Sequence, residues 1–217
     1  MSVSPDSREQ VLGRVRRAAG NGAADVAASY AALEREYVRA GRLGAEERLA
    51  LMIERLREYD AEVVETAPET LAEAIAEQLA ASGKRTFVVP QGLPAEWLAA
   101  GFEWKVDGGL TAGEIEKADG VVTGSFCGIA DSGTIVLHHS DREGRRVISL
   151  LPDWHLCVLR ASDVVETLPE YFSRCKEAPT LATYISGPSA TADIEMTRIK
   201  GVHGPRFLHV VVVRDEA

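Results

Sequence analysis

The sequence predicts a mixed α/β domain, a mostly parallel sheet with helices on both faces, preceded by N-terminal helices. Three observations carry this prediction. The first sixty residues are helical in pattern and poor in strand formers. From residue 61, short runs of β-branched and aromatic residues alternate with helical runs of roughly ten residues, the pattern of parallel strands joined by crossover helices. Beyond Ala130 several strands follow one another through short turns, which adds antiparallel pairing. A chain of 217 residues has room for one substantial core. The expected division is therefore a helical segment over 1–60 and an α/β domain over 61–217.

The elements follow in order. Val11, Leu12 and Val15 mark a first helix, and Gly20-Asn21-Gly22 breaks it from an alanine-rich second one over Ala23 to Val38. Leu49, Met52, Ile53, Leu56 and Tyr59 recur at the three-four spacing of a third helix that must dock on something. Ala61 to Glu65 reads as a strand, and Pro68 opens a helix whose face is Leu71, Ile75 and Leu79, with Gly83 ending it before a strand at Thr86 to Val89. A short helix over Pro94 to Ala100, a strand over Glu103 to Val106, a helix over Thr111 to Ala118 and one long strand-like run over Gly120 to Ala130 continue the pattern. Ile135 to His139, Val147 to Leu151 and Leu156 to Leu159 read as strands, with residues 141–146 a polar hairpin-like loop. Ser162 is the expected cap of a helix from Asp163 to about Arg174. Ala182 to Ile185 and Phe207 to Val213 are the final strands.

Composition narrows the function. Lys plus Arg number 24 against 33 Asp plus Glu, a formal charge of −9, so there is no basic field for nucleic-acid phosphates. No apolar run of transmembrane length occurs, and the first twenty residues lack a signal core, so a cytoplasmic location without a membrane span is expected. Cys127, Cys157 and Cys175 stand far apart with no Cys-x-x-Cys pair, so no zinc ribbon or iron–sulfur cluster is encoded, and the first two read as small core hydrophobes. Gly-x-Gly-x-x-Gly after a first strand, the phosphate-loop motif and Gly-x-Ser-x-Gly are all absent, which disfavours dinucleotide, triphosphate and serine-hydrolase chemistry.

Three segments gather polar groups that a sheet can bring together. In Thr123 to Thr134, Gly124 permits close backbone approach, and Asp131 offers a carboxylate beside the Thr134 hydroxyl. A tight turn explains Asp131-Ser132-Gly133 equally, since aspartate bonds the backbone ahead and glycine accepts positive φ. In Ser186 to Glu195, Gly187, Ser189 and Thr191 form a candidate anion cradle at the entry to a helical turn. Asp193 and Glu195 fit either an acid/base role or simple charge at a helix start, and both readings stand. In Gly201 to Arg206, His203 has a proton-transfer group near neutrality, and Arg206 suits a carboxylate. His138 and His139 are adjacent in an expected strand and point to opposite faces, while His155 and His209 read as core or surface histidines, so no metal site is expected.

The runs Gly128 to Leu137, Ser149-Leu150-Leu151-Pro152, Ser186 to Glu195 and Gly201-Val202-His203-Gly204-Pro205 resemble the lactate utilization protein C family, the LUD-domain proteins also called LutC/YkgG. The likeness spans roughly residues 45 to 213 in order. That family usually carries glutamate and threonine where this chain has Asp131 and Ser132, a change that keeps the charge and shortens its reach.

This resemblance implies a Rossmann-like sheet similar to the NagB/RpiA/CoA transferase-like superfamily of sugar-phosphate isomerases and CoA transferases. It also implies a role in oxidising L-lactate to pyruvate within a three-component system whose other members are cysteine-rich and iron–sulfur proteins. The expected chain holds no cofactor of its own and binds a small carboxylate or other anion. Ser189, Thr191 and Arg206 would hold the carboxylate, with His203 and Asp193 or Glu195 addressing the hydroxyl. The alternative is a stand-alone isomerase or acyl/CoA-transferase-like enzyme on a phosphorylated or thioester substrate, with Asp131 or Glu195 as base or nucleophile.

Overall fold

The computed structural model describes residues 5–19, 26–191, 199–200 and 204–215. They fall into two compact units, Met1–Tyr37 and Val38–Ala217. The first holds α1 (Pro5–Ala19) and α2 (Val26–Ala31), with Arg16 and Arg17 in the last turn of α1, where cations suit the carbonyl end of a helix. The alanine-rich stretch stops being helical after Ala31, well short of the expected Val38. A helix this short gains little without a packed face, and Arg35 donates to the Tyr30 carbonyl at 2.8 Å just beyond it.

The second unit opens with α3 (Ala45–Glu58), which buries the expected stripe of Leu49, Met52, Ile53 and Leu56. There follow β1 (Glu62–Thr66), α4 (Leu71–Ala81), β2 (Thr86–Pro90), β3 (Glu103–Asp107), α5 (Ala112–Glu116) and β4 (Gly120–Thr123). Next come β5 (Cys127–Ile129), β6 (Thr134–Leu137), β7 (Trp154–Arg160), β8 (Val164–Val165), α6 (Leu168–Arg174) and β9 (Thr183–Ile185). β10 (Ala190–Thr191), β11 (Ile199–Lys200) and β12 (Phe207–Val213) complete the described elements.

Six strands form one wholly parallel sheet in the order β1-β12-β7-β4-β2-β3. Alternation along its central strands fills two cores. Leu156 and Val158 of β7 and Val211 and Val213 of β12 pack with Leu71, Ile75 and Leu79 of α4 on one face. Cys157, Leu159, Leu208, Val210 and Val212 pack with α3 on the other. Burial on both faces is why β12 reads as an almost unbroken apolar run. A second sheet, β8-β5-β6-β9, mixes parallel and antiparallel pairing, and Ala130, Ile135 and Leu137 beside it join the α3 core. The mostly parallel α/β architecture expected from sequence is the one found.

Four local expectations are corrected. The run Gly120 to Ala130 is two strands in two different sheets, broken where Ser125 Oγ donates to the Val158 carbonyl at 2.9 Å and Phe126 N–H to Val136 O at 2.9 Å. Val147 to Leu151 is no strand: residues 146–149 form a 3₁₀ turn that buries Ile148. Nor does a cap at Ser162 start a helix. Its hydroxyl bonds Asp215 at 2.8 Å, the chain runs extended through β8, and Thr167 caps α6 in a capping box with Glu170.

The fourth concerns residues 141–146, which do not connect a hairpin, because β6 pairs with β5 and β9 while β7 lies in the main sheet. The loop instead crosses the carboxyl ends of β2 and β4. Gly92 N–H and Gly124 N–H donate at 2.9 Å to the carbonyls of Asp141 and Arg142. A Cβ on Gly92 would sit 2.6 Å from Asp141 Cβ, so the approach requires glycine. Buried Glu143 accepts from His138 N–H and, at 2.9 Å, from the Ser140 hydroxyl. Arg145 grips Asp107 at the end of β3 through two guanidinium nitrogens, Nε at 2.8 Å.

The Asp107 side chain is 2% exposed, and the Arg145 guanidinium beside it holds its carboxyl below the usual carboxylate range. Asp107→Asn is expected to lower the unfolding free energy by about 1–2 kcal/mol near neutral pH, read from urea titrations. Because the folded pKa is the depressed one, this contribution is complete above the unfolded value of about 3.9 and is lost as pH falls through the folded value. The gap between variant and parent therefore closes in acid.

Candidate functional site

A cleft of about 320 Å³ opens where the amino ends of β7 and β12 meet the second sheet. Its floor is His155 and Leu208, the second residues of those two strands. One wall is β9 with its exit, Thr183 through Ser189; another is the 3₁₀ turn bearing Arg146 and Ser149. Gly204 and Pro205, the lead into β12, close the rim. Ser189 N–H donates to the Pro205 carbonyl at 2.8 Å, which ties the β9 exit to the β12 entry.

Polar groups dominate this lining. Ser186 Oγ lies 2.7 Å from Thr134 Oγ1, which in turn lies 2.8 Å from Ser132 Oγ, so a chain of three hydroxyls runs from the turn at 130–132 to the cleft. Gly187 holds φ +85°, and a Cβ there would stand 2.5 Å from Tyr59 Cβ, so glycine alone allows the exit loop to lie on the end of α3. Ser149 Oγ donates to the Arg146 carbonyl at 3.0 Å. The Arg146 side chain makes no ion pair among the described residues. It is the one cationic side chain described in the lining.

His155 is buried, with Nε2 2.8 Å from Thr123 Oγ1, and burial pushes its pKa down to about 4. Burial likewise pushes the Cys127 and Cys157 thiols up to about 12, which keeps them protonated and unreactive, as their apolar sequence settings imply. No cluster of metal-ligating side chains occurs among the described residues. No described helix is long and apolar enough to cross a membrane.

Of the residues singled out from sequence, Gly187 and Ser189 line the cleft, and Thr134 reaches it through Ser186. Gly124 lies outside the lining, its N–H committed to the Arg142 carbonyl. Asp131 also lies outside, exposed on a 3₁₀ turn packed on α3, with its N–H donating to the Glu166 carbonyl at 3.0 Å. Arg206 flanks the rim with its fork filled by Asp153, at 2.6 and 2.7 Å, and that contact holds the Asp153 carboxyl low. At Thr191 the backbone is a strand paired with Ile199, where a helical turn was expected. Asp193, Glu195 and His203 lie outside the described residues.

Sequence reasoning passed over Arg146, Thr183 and the floor position of His155. Arg146 ends the charged run Asp141 to Arg146, which looks like any solvated loop. His155 is a core histidine as its apolar neighbours indicate, and the cleft forms above it only because β12 pairs alongside.

The LUD domain family model matches residues 46–213. The chain belongs to the LUD-domain family. "Lactate utilization protein C" of Deinococcus radiodurans is 40% identical, the match covering 74% of this chain and 76% of that protein. The Bacillus subtilis protein of the same name is 28% identical over 94% and 92% of the two chains. The crystal structure of a DUF162 family protein from Deinococcus radiodurans shares the fold at a TM-score of 0.68 and 35% identity, covering 80% of this chain and all of that one. Both the cleft and the hydroxyl chain of this LUD domain sit inside the matched span.

The His155 ring is expected to stay neutral well into acid. A ring-nitrogen NMR titration should show a neutral imidazole down to about pH 5, and protonation near 6.5 would contradict the burial. The folded pKa is the lowered one, so the unfolded chain takes up the proton first and stability declines as pH drops from about 6.5 toward about 4.

Proposed function

We propose that this LUD-domain chain is a component of an L-lactate utilization system, in which its cleft binds a small carboxylate and iron–sulfur partner proteins carry the electrons. The relatives named "Lactate utilization protein C" support the pathway. The observation that carries the binding role is the Arg146 guanidinium, which has no carboxylate partner among the described residues, at a cleft bordered by the hydroxyls of Ser149, Thr183, Ser186 and Ser189. A planar cationic fork bordered by neutral hydroxyls matches a carboxylate, and a ligand of lactate's size fits the volume.

Oxidation of lactate to pyruvate releases two electrons and two protons. The sequence carries neither cluster cysteines nor a recognisable flavin motif, so the reading assigns electron transfer to partners and substrate handling to this chain. A cytoplasmic setting goes with it.

Calorimetric titration of the purified chain with L-lactate tests the binding role. Binding at millimolar ligand or below is expected, and Arg146→Gln should weaken it about tenfold or more, since one charge-assisted pair is lost. No heat at millimolar ligand would overturn the reading. Co-purification of iron–sulfur proteins from cells grown on L-lactate tests the partners.

A further inference from the structure

Thr183 occupies a special place in the cleft wall. It faces inward from β9, opposite Leu137 of β6, and its hydroxyl lies 2.8 Å from Nε2 of His139. The other ring nitrogen, Nδ1, lies 2.9 Å from the carbonyl oxygen of Gly144. A carbonyl can only accept, so Nδ1 carries a hydrogen. In the neutral ring this leaves Nε2 as a bare lone pair, and the Thr183 hydroxyl must donate to it. Thr183 then has no hydrogen left for the cleft and offers only its lone pairs.

The backbone is bent to hold this arrangement. His139 has φ +59°, one of two described non-glycine residues with positive φ, and Gly144 has φ +70°. A residue in that region costs free energy unless its surroundings fix it, and strain of this kind gathers at sites where a side chain must be aimed. The His139 ring bonds both of its nitrogens, one to the loop and one to the cleft wall.

We infer that the Gly144–His139–Thr183 chain makes Thr183 a fixed hydrogen-bond acceptor in the cleft. It thereby selects acids bearing a hydroxyl beside the carboxylate over the corresponding 2-oxo acids. This rests on the carboxylate reading of the cleft. With Arg146 on the carboxylate, a 2-hydroxy acid donates its O–H to Thr183. A 2-oxo acid instead sets its carbonyl lone pairs against those of Thr183, leaving both without a hydrogen. Thr183 is the specificity-determining residue and His139 a positioning residue behind it.

The test is calorimetry of the full chain with L-lactate, pyruvate and propionate at about pH 8. The parent chain is expected to prefer lactate over pyruvate and over propionate by about fivefold to tenfold, the worth of one hydrogen bond. Thr183→Val should bring the lactate-to-propionate ratio near one, and Thr183→Ser should keep the parent's preference. His139→Asn suits the positive φ and is too short to reach Thr183. It frees the hydroxyl to rotate, so the lactate-to-pyruvate ratio should fall while lactate still exceeds propionate. Equal affinities of the parent chain for lactate and pyruvate, or an unchanged ratio in a folded Thr183→Val, overturn the assignment of Thr183. If no acid binds the parent, the carboxylate reading itself has failed and this inference falls with it. Propionate binding without a lactate preference leaves the cleft reading intact and removes only the selection.

Discussion

Insertion of β12 between β1 and β7 is the constraint on which the rest of the structure depends. The last strand pairs in parallel with β1 along five residues and with β7 along seven, so it joins the two ends of the α/β unit inside one sheet. Its side chains alternate between the two cores, and each fully buried valine contributes roughly 1.5–3 kcal/mol relative to exposure. Parallel pairing also dictates where its lead-in must lie: the chain has to return to the amino edge of the sheet before entering β12. That return brings Gly204 and Pro205 beside the β9 exit, and the cleft is the space left between them and β7.

The cleft's position follows from how the two edges of the main sheet are used. Strand order reverses between β2 and β4, and the carboxyl side of such a reversal is where open α/β sheets commonly receive ligands. Here the loop after β6 lies across that edge, with two of its carbonyls on the glycine amides at the ends of β2 and β4. Buried Glu143 and the Asp107–Arg145 pair anchor the loop at both of its shoulders. The same loop delivers Arg146 to the amino-side cleft and offers the Gly144 carbonyl to His139. A single polar connection therefore closes one edge of the sheet and equips the other.

Much of the fold was legible because its signals are local. The helix face of Leu49, Met52, Ile53 and Leu56, the break at Gly83, and the apolar runs of β7 and β12 depend on side-chain period and backbone freedom within a few residues. Failures came where a partner distant in sequence decides the conformation. Gly120 to Ala130 reads as one strand, yet the Val158 carbonyl and Val136 draw its halves into different sheets. Ser162 has the chemistry of a helix cap, but Asp215 takes its hydroxyl, and Thr167 caps the helix five residues later.

The site divides in the same way. By itself the sequence determined that two hydroxyls and a glycine at 186–189 flank a β9–β12 junction, because composition and strand propensity fix both the polar loop and the strands holding it. Tertiary structure alone decided which charges remain for a ligand. Arg206 looked free and is bound to Asp153, whereas Arg146 looked like loop solvation and stands at the cleft without an ion-pair partner among the described residues. Sequence shows that a cation exists. Only the folded chain shows whether a carboxylate of its own already holds it, because that contact depends on packing between segments about fifty residues apart, as with Asp153 and Arg206.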